Sequence, residues 1–71
     1  MDKAAEKRVR RAVECARAAV TRVEFSDLYR RRFHAAMDAL QSEEEGREVY
    51  ERCKKEPWYE RSSARRKLRF E

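Results

Sequence analysis

The chain has 71 residues, of which nineteen are basic and fourteen acidic, for a formal net charge of +5, and charged side chains make up 46% of it. A chain this short makes at most one small domain and buries only about 60% of its unfolded surface. One glycine, one proline and many Ala, Arg, Lys and Glu favour helix, while no apolar run approaches the roughly 20 residues of a membrane span and no apolar signal-peptide core is visible.

The opening, MDKAAEKRVRR, is basic and amphipathic, but Asp2 and Glu6 count against a simple organellar presequence. From Lys3 to about Val23, the positions Ala5, Val9, Ala12, Ala16, Ala19, Val20 and Val23 recur at helical spacing. They predict an amphipathic helix whose thin, alanine-rich stripe is bordered by Arg8, Arg11 and Arg17. Alanine permits close approach and contributes little area, so this helix needs something to pack on.

A break is expected around Glu24–Phe25–Ser26, with Ser26 as N-cap and Asp27 favourable in the first turn. A second helix then runs to about Leu40, with Leu28, Tyr29, Phe33, Ala36, Met37 and Leu40 toward the core. Ser42 followed by Glu45 fits a capping box opening a third helix with Val49, Tyr50 and Cys53 on one face. Gly46 weakens its first turns, and Pro57 ends it. Ser62 or Ser63 is suited to cap a short basic helix over residues 64–70.

The expected fold is therefore all-α: two or three short helices in a single unit, 1–71, followed by a basic C-terminal segment with its own short helix. The amphipathic helix occupies 1–23 and a basic-aromatic tail 57–71. With so little core to fill, the expected shape is extended rather than compact.

The charge is unevenly placed. Residues 1–34 carry ten basic and five acidic groups and residues 47–71 nine and five, whereas no Lys or Arg occurs from Ala35 through Gly46. Such a layout steers two ends toward phosphate, and equally suits intramolecular ion pairs or an acidic protein surface.

Enzyme chemistry finds little support in the residues. His34 is the only histidine and lacks a Cys or Asp partner in its turn, and Glu43, Glu44 and Glu45 read as a helix N-terminus with a solvated surface. There is no glycine-rich phosphate loop and no metal-ligand spacing, so no catalytic residue, metal or cofactor is expected. Cys15 and Cys53 read as two packed thiols, with a disulfide between the first and third helices left open.

Basic and aromatic residues carry the functional signal. Arg30, Arg31 and Arg32 are consecutive, so on a helix they fan around the circumference and do not all line one contact. Arg65, Arg66, Lys67 and Arg69 are denser, in a segment with little core to serve. Arginine forks bind phosphate, while Trp58 and Tyr59 suit stacking on unpaired bases. The competing reading has Trp58, Leu68 and Phe70 closing a small core. Tyr29, Phe33, Met37, Trp58 and Phe70 are the candidate protein contacts.

The stretches EFSDLYRRRF (24–33) and PWYERSSARRK (57–67) resemble the small ribosomal subunit protein S21 family, including mitochondrial members. Arg31, Arg32 and Phe33 match an Arg-Arg-Phe signature, and Trp58, Tyr59, Glu60 and Arg61 match an aromatic-Tyr-Glu-Lys-Pro element in which Ser62 replaces the proline. Arg65, Arg66 and Lys67 match the basic run after it. The resemblance implies a structural component of the small ribosomal subunit that binds rRNA and neighbouring ribosomal proteins, in mitochondria or otherwise the bacterial cytoplasm. It further implies that Arg31, Arg32, Arg65, Arg66 and Lys67 contact phosphates, with Tyr59 bracing the turn or stacking; Arg61 and Arg69, in the same basic segment, are further RNA-binding candidates. The added first helix and the acidic middle section suggest contacts with protein neighbours.

A second resemblance rests on Leu28–Tyr29–Arg30 with Phe33 nearby, which is similar to the opening of the LYR-motif family of small mitochondrial subunits and assembly factors. It implies a three-helix fold that binds acyl carrier protein or partners in iron–sulfur and respiratory-complex assembly. The two readings differ in what they require of Trp58: few self-contacts in an RNA-binding tail, burial in a closed helical unit otherwise.

Overall fold

The computed structural model describes residues 1–60, apart from the side chain of Glu60. The expected helix over 64–70, and the candidate residues Arg61, Arg65, Arg66, Lys67, Arg69 and Phe70, lie outside the described residues.

Helix α1 spans Lys3–Thr21 and opens on Asp2, whose carboxylate accepts the Ala5 N–H at 2.8 Å. This cap satisfies one of the free amides of the first turn, and Glu6 adds a favourable charge beside it. Ala5, Val9, Ala12, Ala16, Ala19 and Val20 are all buried, as the periodicity predicts. Val23 is not: the helix ends two residues earlier, and a 3-10 turn, Val23–Phe25, leaves Val23 83% exposed.

Helix α2 spans Ser26–Asp38. Its N-cap is Phe25, without a side-chain cap bond, and Ser26 is already helical. The Ser26 hydroxyl instead donates to the Ala19 carbonyl at 3.1 Å, fastening the start of α2 to the end of α1. Of the expected core stripe only Phe33 and Ala36 are buried; Tyr29, Met37 and Leu40 are half-buried, and Leu28 is exposed. Phe33 and Ala36 face α1, and Tyr29, Met37 and Leu40 pack at the edge of the same core.

Helix α3 spans Glu43–Lys54 and is capped as the sequence predicts, Ser42 Oγ accepting the Glu45 N–H at 3.2 Å. Val49 and Cys53 are buried on its inner face. Past α3, a 3-10 turn, Pro57–Glu60, brings Trp58 and Tyr59 back onto the helices, where both are buried.

These pieces make one core of Val9, Ala12, Ala16, Ala19, Val20, Phe33, Ala36, Val49, Cys53, Trp58 and Tyr59. The expectation of an extended molecule is thereby overturned: the protein is a compact three-helix globule. Its radius of gyration is 11.3 Å, against ~10–11 Å expected for a compact chain of this size. The alanine stripe explains the difference. Methyl-sized side chains on α1 let α2 and α3 approach closely, and the aromatic pair at 58–59 supplies the volume that alanine lacks.

Two ionic clamps flank the α1–α3 contact. Arg52 donates to both Glu6 oxygens, at 2.8 and 2.6 Å, and to Glu48 at 3.0 Å. Arg8 holds Glu45 through Nε and Nη2, at 2.7 and 3.1 Å. Glu45, expected on a solvated surface, is buried because this fork and Ser42 satisfy its carboxylate.

Candidate functional site

The Ser26–Ala19 bond and the short turn before it fold α2 back along α1, so side chains from both helices share one outer face. Arg8 and Arg11 of α1 and Arg32 of α2 line a groove of about 300 Å3 together with Ala35, Ala36 and Ala39. The alanines are what open it, since a longer side chain at 35 or 39 would occupy the space. Toward the α1–α2 corner, Arg22 and Arg32 lie against the Tyr29 ring, at 5.8 and 5.5 Å from its centroid. This cation–π geometry orients both guanidiniums without neutralising them.

The ion pairs on this face are few. Arg8 is engaged by Glu45 and Arg30 by Asp27 at 3.2 Å. Arg11, Arg22, Arg31 and Arg32 form no ion pair among the described residues. Arg11 and Arg32 at the groove and Arg22 at the Tyr29 ring thus make an arginine strip without carboxylate partners among the described residues. It is suited to hold anions, and arginine forks match phosphate oxygens in particular.

The sequence-predicted residues divide accordingly. Arg31 and Arg32 are exposed. Tyr59 is 2% exposed, edge-on to Tyr50 with ring centroids 6.2 Å apart. It offers no open ring face for a base, and of its two expected roles only bracing the turn fits this placement. Phe33 and Trp58, read as protein contacts, are core residues of this chain. Tyr29 and Met37 are half-buried at the core's edge. Arg11 and Arg22 belong to the strip although no motif marks them; their spacing from Arg8 along one helix face was the available signal.

At the corner itself Val23 and Phe25 are exposed beside Arg22 and Glu24 and, with Leu28 partly exposed in the first turn of α2, make a small apolar knob. The Leu28–Tyr29–Arg30 triplet therefore presents its leucine outward while Tyr29 is held between arginines.

The thiols are both free. Burial pushes Cys53 up to about 12, which keeps it a neutral core group at physiological pH. Cys15 is raised by its partial burial, and Arg11 and Arg32 act against that rise. Among the described residues no group of three His, Cys, Asp or Glu side chains is gathered that would hold a metal ion, and no helix is long and apolar enough to cross a membrane. Trp58 Nε1 and His34 Nε2 are buried without a hydrogen-bond partner among the described residues.

Comparison with protein-family models, curated proteins and solved structures finds no match to this chain.

The function read from this site therefore rests on the arginine strip, the apolar knob beside it, and the sequence signatures at 24–33 and 57–67.

Proposed function

We propose that the protein is a structural component of the small ribosomal subunit, of S21-like type, that binds rRNA phosphates and contacts neighbouring ribosomal proteins. The observation that carries this reading is the α1–α2 arginine strip, in which Arg11, Arg22 and Arg32 lack carboxylate partners among the described residues; Arg31 is exposed on the same helix as Arg32. Directly after the described part, the sequence adds Arg61, Arg65, Arg66, Lys67 and Arg69. Phosphate contacts of this kind release counterions and make binding steeply salt-dependent. Trp58 and Tyr59 serve the fold rather than the bases, so recognition is of backbone and shape. The exposed Val23, Phe25 and Leu28 supply the protein-facing side. The proposed setting is the mitochondrial ribosome, or a bacterial one.

The test is equilibrium binding of the whole chain to RNA hairpins from the 3′ region of small-subunit rRNA, across a salt series. Replacing Arg11 and Arg32 by Glu should weaken binding and reduce the salt slope by about 1 per lost phosphate contact. Binding that is absent even at low salt, or that the double variant leaves unchanged, overturns the reading.

A second reading, a LYR-like small helical subunit or assembly factor of a mitochondrial complex, is favoured by the compact three-helix form and by Trp58, which is buried in a closed helical unit as that reading requires and lacks the few-contact placement expected of an RNA-binding tail. In that case the Val23–Phe25–Leu28 knob leads. Phe25→Ser with Leu28→Ser would abolish partner association that salt barely affects, and RNA binding would be lacking.

A further inference from the structure

We infer that the α1–α2 groove is a seat for one phosphoryl group, held between Arg8, Arg11 and Arg32. The groove is half open to solvent, with a volume of about 300 Å3. Its floor is methyl groups from Ala35, Ala36 and Ala39, and its polar groups are three guanidiniums. Arg8 is oriented in advance: Glu45 takes its Nε and Nη2, leaving Nη1 without a bond among the described residues. Arg32 is steadied on the Tyr29 ring.

Charge selects the ligand class. The three arginines bring three positive charges and Glu45 returns one negative charge, so the lining keeps two positive charges. A carboxylate would neutralise only one, whereas a phosphomonoester carries about −1.5 to −2 at pH 7. Asp2 acts on Arg8 from further off and does not line the groove. Paired guanidinium forks also fit tetrahedral oxygens better than an ammonium would. The seat shares Arg11 and Arg32 with the proposed RNA face, but does not depend on the anion being RNA; a terminal or backbone phosphate of RNA and a free phosphorylated small molecule offer the same chemistry.

The test uses the full chain at constant ionic strength, titrated with pyrophosphate and followed by amide chemical shifts. Saturable shifts centred on Arg8, Arg11, Arg32, Ala35 and Ala39 are expected. Two variants decide the site. Arg11→Gln removes a charge, and Ala35→Leu fills the groove from an exposed position while keeping every arginine; thermal melting of Ala35→Leu should match the parent. Each should weaken pyrophosphate binding by about tenfold or more, the loss expected for a charge-assisted contact. Shifts that merely follow ionic strength, or an Ala35→Leu variant that binds pyrophosphate like the parent, overturn the seat. A second arm compares oligoribonucleotides with and without a 5′-phosphate. Preference for the phosphorylated end supports a terminal phosphate as the natural occupant, and equal binding weakened by Ala35→Leu supports an internal one. If pyrophosphate binds and neither oligonucleotide does, the seat stands for a free phosphorylated molecule and the RNA reading falls.

Discussion

Arg8 and Glu45, thirty-seven residues apart, meet through a two-point fork at 2.7 and 3.1 Å. The same pair fixes two things: where the N-terminus of α3 crosses α1, and how Arg8 is presented to the groove. Glu45 is held below the usual carboxylate range chiefly by the Arg8 hydrogen bond. Breaking one side of a buried pair leaves the other without compensation, whereas replacing both by apolar groups removes the desolvation cost as well. Arg8→Met, which strands the buried Glu45 carboxylate, should therefore melt at lower temperature than the double variant Arg8→Met, Glu45→Leu. Urea midpoints for Arg8→Met, Glu45→Leu and the double form a cycle that checks this, and a double variant less stable than Arg8→Met would refute it.

Acid should loosen the α1–α3 contact before it melts the helices. Arg52 holds the Glu6 carboxyl down from 4.5 to about 2. A depressed carboxylate contributes stability that is present above its unfolded value and lost as pH falls from about 4.5 toward 2. Thermal melts from pH 7 to pH 2 should show a falling melting temperature over that window. Glu6→Gln should start lower and flatten that limb, and an unchanged acid limb would count against the clamp.

Trp58 carries much of the core volume in a molecule whose longest helix contributes mainly alanine. Trp58→Ala should cost about 3–5 kcal/mol, close to the whole stability of a domain this small. Loss of the cooperative melt is the expected readout.

Gly46 works in the opposite direction. It lies inside α3 with nothing within 4 Å of an added Cβ. Gly46→Ala should raise stability by about 0.5–1 kcal/mol, measured as a shift of the urea midpoint with an unchanged slope.

The two cysteines should separate cleanly in a thiol-labelling experiment. Cys15 is half-buried beside Arg11 and Arg32, while Cys53 is buried and shifted up to about 12. Cys15 should react first, in the native chain though more slowly than a free thiol because partial burial raises its pKa, and Cys53 only on unfolding. Cys15→Ser should abolish the fast phase. Two fast equivalents would place Cys53 outside the core.

Much of this architecture was legible before the fold. The spacing of Ala5, Val9, Ala12, Ala16 and Ala19 gave α1 and its buried face, and Ser42 with Glu45 gave the start of α3. Leu28 and Val23 were misplaced because periodicity marks apolar positions without knowing how wide the neighbouring helix is. Ser26 was misassigned because a hydroxyl near a helix start suits a cap or a bond to another helix equally well. On the candidate site, Arg31 and Arg32 were visible as a motif, whereas Arg11 and Arg22 needed the second helix beside them.

By itself, then, the sequence determined the helical class, the cap of α3 and the excess of arginine, since all of these follow from local spacing and composition. Only the tertiary structure decided that the chain closes into a globule. Closure depends on Trp58 and Tyr59 returning to an alanine-lined surface, a contact between distant segments that no local pattern encodes. The same packing decided which charges are spent and which are left over: Arg8, Arg30 and Arg52 find carboxylates, while Arg11 and Arg32 are set across one groove without them.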